Sequence, residues 1–149
     1  MGLVPIFTNA QVAAEIALRL QRIHQAIIAA LKRLGEECVR VARIEGNYID
    51  QTGNLRSSIG YVLVANGVIV DSNFDTANSD QDGKGVATGR AFAEEKARQY
   101  STGYALIVVA GMNYAAAVES RSRDVLTSSE IYAKQRLPVM LAALKLNIK

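Results

Sequence analysis

The chain has 149 residues, 50% of them hydrophobic and 21% charged, with one cysteine, one histidine and no tryptophan. This is the length and composition of one domain able to bury its own core, and it excludes a disulfide framework or a Cys/His zinc site, because Cys38 has no second cysteine to pair with. The net charge of +3 falls short of the basic face of a dedicated nucleic-acid binder. No apolar run reaches the length of about 20 residues that spans a bilayer. The opening Met-Gly-Leu-Val-Pro-Ile-Phe lacks the charged start and long apolar middle of a signal peptide, and the expectation is a soluble, unsecreted protein.

From about Asn9 to Ile44, Ile16, Leu20, Ile23, Ile27, Leu31, Leu34, Cys38 and Val41 recur at alternating steps of four and three. That spacing predicts one apolar stripe on a helix. At about 1.5 Å per residue the rod is roughly 50 Å long, too long for a compact domain with a radius of gyration near 15 Å. Part of it must pack on a second element or on another copy of the chain. Gly35, in mid-stripe, marks a bend or a close contact.

After Ser58 the period changes to that of strands. Segments 59–65 and 68–71 flank Asn66-Gly67, a dipeptide suited to a tight hairpin turn. Residues 72–87 are polar and turn-forming and predict an extended, mobile loop. A weaker helix is expected over 88–100. A strand follows at 104–110, whose Leu106-Ile107-Val108-Val109 run suggests a sheet covered on both faces. The last helix should start with Thr127 as N-cap in a capping box with Glu130, stapled by Leu126 and Ile131, and should kink or break at Pro138. The class is α+β: one domain over 1–149 with a long N-terminal helix, a small antiparallel sheet and a C-terminal helix.

Few residues suggest chemistry. His24 has no nucleophile or second ligand at helical spacing, so a helix-surface or interface role is expected. Cys38 on the stripe reads as a small buried hydrophobe. Glu36-Glu37 and Glu94-Glu95 are neighbours on helices that diverge by about 100°, which suits a solvated face rather than an acid/base pair. Asn78-Ser79-Asp80-Gln81-Asp82-Gly83 has the first half of a calcium loop, but Gly89 stands where a bidentate glutamate is needed. Gly83, Gly85 and Gly89 match neither the P-loop nor the dinucleotide spacing and read as linker glycines. Arg19, Arg22, Lys32, Arg33, Arg40 and Arg43 could touch DNA phosphates, although Glu15, Glu36 and Glu37 interrupt them. No cofactor, metal ion or catalytic residue is expected.

Two connections stand out. Asp50-Gln51-Thr52-Gly53-Asn54-Leu55-Arg56-Ser57-Ser58-Ile59 joins the long helix to the first strand, with a capped turn, a permissive glycine and apolar anchors. Gly111-Met112-Asn113-Tyr114-Ala115-Ala116-Ala117-Val118-Glu119 leaves the later strand and starts a short helix of small residues that lets another backbone approach closely. Taken alone, either suits any α+β domain.

In this order, about fifty residues apart, the two segments resemble the hallmark of the tail-completion or head-tail joining family of long-tailed double-stranded DNA bacteriophages. The matching residues are Thr52, Gly53, Leu55, Ser58 and Ile59, then Gly111, Tyr114, Ala115, Val118 and Glu119, and the likeness in layout runs from about Ala10 to Leu144. The chain departs from the family pattern at Ser120-Arg121-Ser122, where a glycine is usual, and around Arg123-Asp124-Val125-Leu126, where an aromatic and a proline are missing.

The resemblance implies a non-enzymatic subunit of the phage neck, in a homo-oligomeric ring of six or twelve copies between portal or adaptor and tail. DNA would pass through the lumen without sequence-specific binding, and the protein would be assembled in the host bacterial cytoplasm and reside in the virion. Tail terminator, another minor tail protein and, more remotely, a DNA-binding module on the basic face of the first helix are the alternatives. The polar loop, through Phe74, Asp75, Asp80, Asp82 and Lys84, is the expected contact to neighbouring rings. Deleting 74–84 should then leave the monomer folded and abolish joining.

Overall fold

The computed structural model describes residues 2–75 and 83–147. Helix α1 spans Asn9–Glu45 and starts at a reciprocal cap: Gln11 N–H donates to Thr8 Oγ1 at 3.2 Å, and Thr8 N–H donates to Gln11 Oε1 at 2.7 Å. Such a box satisfies two of the helix's orphan donors. A one-turn helix α2 (Asn54–Ser57) leads into strand β1 (Ile59–Ala65), which turns back as β2 (Val68–Asn73). The turn is the expected one. Asn66 and Gly67 both take positive φ, 50° and 81°, as a two-residue hairpin loop following the strand twist requires. Helix α3 (Lys84–Ala97), strand β3 (Tyr104–Ala110), the short α4 (Ala115–Glu119) and helix α5 (Thr127–Asn147) complete the order.

The sheet is antiparallel with order β2-β1-β3. Every residue of β1 is buried, so the central strand is the hairpin's first strand, whereas β3, with its apolar run, lies at an edge. Both faces are covered at β1, whereas the edge strand β2 is mostly exposed. Alternation sends Ile59, Tyr61 and Leu63 toward α1, together with Leu106 and Val108 of β3. It sends Val62 and Val64 to the opposite side, where Phe74, Ala93 and Ala97 meet them. Full burial of each large side chain stabilises the fold by about 1.5–3 kcal/mol, which pins the register, since a one-residue slip would exchange the two faces.

Helix α5 lies along α1 and runs antiparallel to it. Cys38 Sγ donates to the Ser129 carbonyl at 3.9 Å, Tyr132 Oη donates to Glu37 Oε2 at 2.8 Å, and Leu144 shares a groove with Ile27. Glu37 is thus a latch between helices rather than part of a solvated face. The tyrosine hydroxyl, with Arg33 and Arg136 assisting, holds its carboxyl below the ordinary value. Helix α5 continues through Pro138 without a break.

Four further expectations change. Residues 72 and 73 belong to β2 and 84–87 to α3, so the expected loop 72–87 is shorter than the polar composition suggested. Helix α3 begins four residues before the expected 88 because Gly85 and Gly89, read as linker glycines, sit inside it and let it press on α2 and β1. Thr127 is not the N-cap of α5 but its first helical residue, and the capping acceptors lie upstream. Ile131 is half exposed and staples nothing.

Candidate functional site

The two sequence segments singled out above meet in space. Gly53, left-handed at φ 74°, turns the chain into α2, and Leu55 is buried beneath it. Ser58, wholly buried, then joins three segments: its Oγ donates to the Leu55 carbonyl at 2.7 Å and accepts from Met112 N–H at 3.3 Å, while its carbonyl accepts from Gly111 N–H at 3.1 Å. Helix α3 closes the junction from the other side. A Cβ on Gly89 would collide with the Ser58 backbone, and a Cβ on Gly111 would collide with the Gly89 backbone. Three backbones therefore meet where only hydrogen side chains fit.

Beyond Gly111, Tyr114 stands part-exposed beside Thr52 and Asp50, and burial of its ring edge raises its hydroxyl's pKa. Ala115 is buried, Val118 packs against the first core cluster, and Ala116 and Ala117 face outward on α4. Glu119 ends the motif with a defined task. Its Oε1 accepts from the backbone N–H groups of Leu126 and Thr127, at 3.2 and 3.0 Å, and from the Thr127 hydroxyl at 2.6 Å. Asp124 adds hydrogen bonds from Ser128 N–H, at 3.1 Å, and from the Ser128 hydroxyl. Carboxylates at a helix N-terminus satisfy orphan donors and complement the dipole. Among the motif residues, Ser58 and Gly111 thus tie the start of the second segment to the first, and Glu119 fixes the start of α5.

The expected contact loop fares differently. Phe74 is buried against Gly60 in the second core cluster and leaves the contact set, because an apolar ring following an edge strand gains more from the core than from water. Asp75 is exposed and its carbonyl accepts from Arg43 at 2.9 Å; Lys84 is the exposed first residue of α3. Asp80 and Asp82 lie outside the described residues, as does most of the calcium-like stretch.

Four of the six basic residues singled out on α1 have partners within the chain, while Arg22 and Arg40 are exposed. Arg19 pairs with Glu15 at 3.5 Å, Lys32 with Asp71 at 3.5 Å, and Arg33 with Glu37 at 3.2 Å. Arg43 turns inward to the carbonyls of Ile59 and Asp75, where burial lowers its pKa. His24 Nδ1 lies 2.5 Å from the Tyr104 hydroxyl, joining α1 to the start of β3. Burial raises the Cys38 thiol, disfavouring the reactive thiolate. Among the described residues no three His, Cys, Asp or Glu side chains gather to hold a metal ion, and no helix is long and apolar enough to cross a membrane.

The feature that sequence periodicity did not isolate is exposure at one end. Residues 2–22 are exposed without interruption, so the apolar stripe of α1 is covered only in its C-terminal half. The stripe itself was legible; where the cover stops depends on the length of α5. No family model, curated protein or solved structure matches the chain.

Proposed function

We propose that this chain is a structural subunit of the phage neck, building a homo-oligomeric ring that joins head to tail and lets DNA pass, with no bond made or broken by the protein. The observation that carries the reading is the junction at Ser58, where both family-like segments converge and fix the short α4 and the capped α5 on the sheet. Those residues act by holding elements in place, as an assembly subunit requires. The internal pairing of Arg19, Lys32, Arg33 and Arg43 supports a conduit over a DNA-gripping module, since each free phosphate contact would retard the genome. The partners on this reading are copies of the chain and the neighbouring portal, adaptor or tail proteins.

Electron microscopy of the purified chain and antibody labelling of virions encoded by the same genome test the reading. Closed rings and label at the head-tail junction are expected. Single chains in solution together with unlabelled virions would overturn it. The loop's role is tested with residues 76–82 replaced by seven Gly and Ser residues, because a deletion over 74–84 would remove Phe74 from the core and the start of α3. Folded rings that no longer join heads to tails are expected; normal joining would remove the loop from the contact.

A further inference from the structure

Among the described residues the edge strand β2 exposes Val68, Ile69 and Val70, and two further uncovered apolar surfaces are made of the same pair of elements that cover each other elsewhere. The first is the free end of α1. From Asn9 to Arg22 the helix projects past the region that α5 covers, about 20 Å at 1.5 Å per residue. Eight large apolar side chains between Leu3 and Leu20 stand 39–104% exposed. The second is the outer face of α5. Ile131, Pro138, Ala142 and Leu146 follow one another at helical spacing on the side opposite Ser129, Met140 and Leu144, with Val139 at the edge of that face, where it also borders the groove toward Ala29 and Arg33 of α1. Ile131, Val139 and Leu146 are 51–71% exposed. Lys134, Gln135 and Lys145 stand among these side chains, so the face is mixed, and α5 meets its own chain on the other side alone.

We propose that the free end of α1 in one copy packs on the outer face of the next copy's α5. The contact repeats between chains the α1 to α5 packing seen within the chain. A chain cannot make it with itself, because α1 has no proline and no glycine before Gly35, so its free end points away from its own α5. Area favours a second copy as well. At about 100 Å² per fully covered aliphatic side chain, the free end of α1 and the segment from Leu3 to Phe7 that leads into it together offer on the order of 500 Å², of which the helix supplies about 200 Å²; the sum is a large share of the about 800 Å² per partner of a stable interface. The two surfaces differ, so the contact is heterologous and propagates from copy to copy until it closes. This deepens the ring reading and rests on it.

Cysteine cross-linking in a Cys38→Ala background tests the contact. Ile16→Cys and Val139→Cys both alter exposed positions, and circular dichroism checks that each variant keeps its helices. Mixing the two single-cysteine variants under oxidation should give a cross-linked dimer that neither gives alone, and the double variant should give a ladder. Cross-linking of Ile16→Cys with itself would overturn the proposal in favour of α1 pairing with α1, and absence of any cross-link would overturn it outright. Leu20→Asp, with its helix content unchanged, should convert the assembly to single chains in sedimentation; retention of full assembly would also overturn it. A ladder that never closes would leave the contact standing and remove the ring, whereas rings without the 16–139 cross-link would do the reverse.

Discussion

A single oxygen of Glu119 receives both backbone donors and the hydroxyl at the start of α5, with the Thr127 hydroxyl at 2.6 Å. Loss of such a cap costs about 1–2 kcal/mol. Glu119→Ala should therefore lower the thermal midpoint by about 4 °C in a domain of this size, measured by circular dichroism. Thr127→Ala should cost less. The reverse order would return the capping role to Thr127.

Where α3 crosses the sheet, Gly89→Ala places a methyl group against the Ser58 backbone, and Gly111→Ala places one against Gly89. Backbone cannot swing aside as a side chain can, so each should destabilise by about 3 kcal/mol, the upper part of the usual range for overpacking. Gly2→Ala, with open space around it, should be neutral. Urea denaturation of the three variants decides this, and a silent Gly89→Ala would mean that α3 does not touch Ser58.

Glu37 predicts an acid dependence. Its carboxyl lies below its ordinary value near 4.5, chiefly through the hydrogen bond from Tyr132. A depressed folded-state pKa means that the unfolded chain takes up the proton first, so the stabilisation is present above about pH 4.5 and is lost as pH falls through the folded value. Denaturation midpoints of the native chain should fall in that window, and those of Tyr132→Phe should fall less. Equal slopes would remove the latch between α1 and α5.

Cys38 should resist thiol reagents in the folded protein and react fully in denaturant, because burial both shields it and raises its pKa. Immediate labelling at pH 8 would show that α5 does not seal α1 at Ser129.

The elements legible in the sequence are those set by local chemistry. Asn66-Gly67 announced its turn through backbone sterics, and the stripe from Ile16 to Val41 announced a helix through periodicity. The cap at Thr8 is equally local, since Gln11 stands three residues on, but it was not picked out from the sequence. Other features depend on partners distant in the chain. Gly85 and Gly89 look like a linker until the backbones of Asn54 and Ser58 come up against them, and Phe74 looks like loop until Gly60 leaves room for its ring. Thr127 has the right sequence for a cap, but Glu119, eight residues earlier, brings a full charge to the same donors. Of the candidate site, both segments were visible, while their meeting at Ser58 is a property of the packed sheet.

The unsupported length of α1 also makes it a lever. It is clasped from about Ile27 onward, and its tip at Asn9 lies about 27 Å beyond that fulcrum. A change of only about 5° in its pitch would sweep the tip through roughly 2 Å. The tip can therefore shift while the sheet and the helices packed on it keep their places.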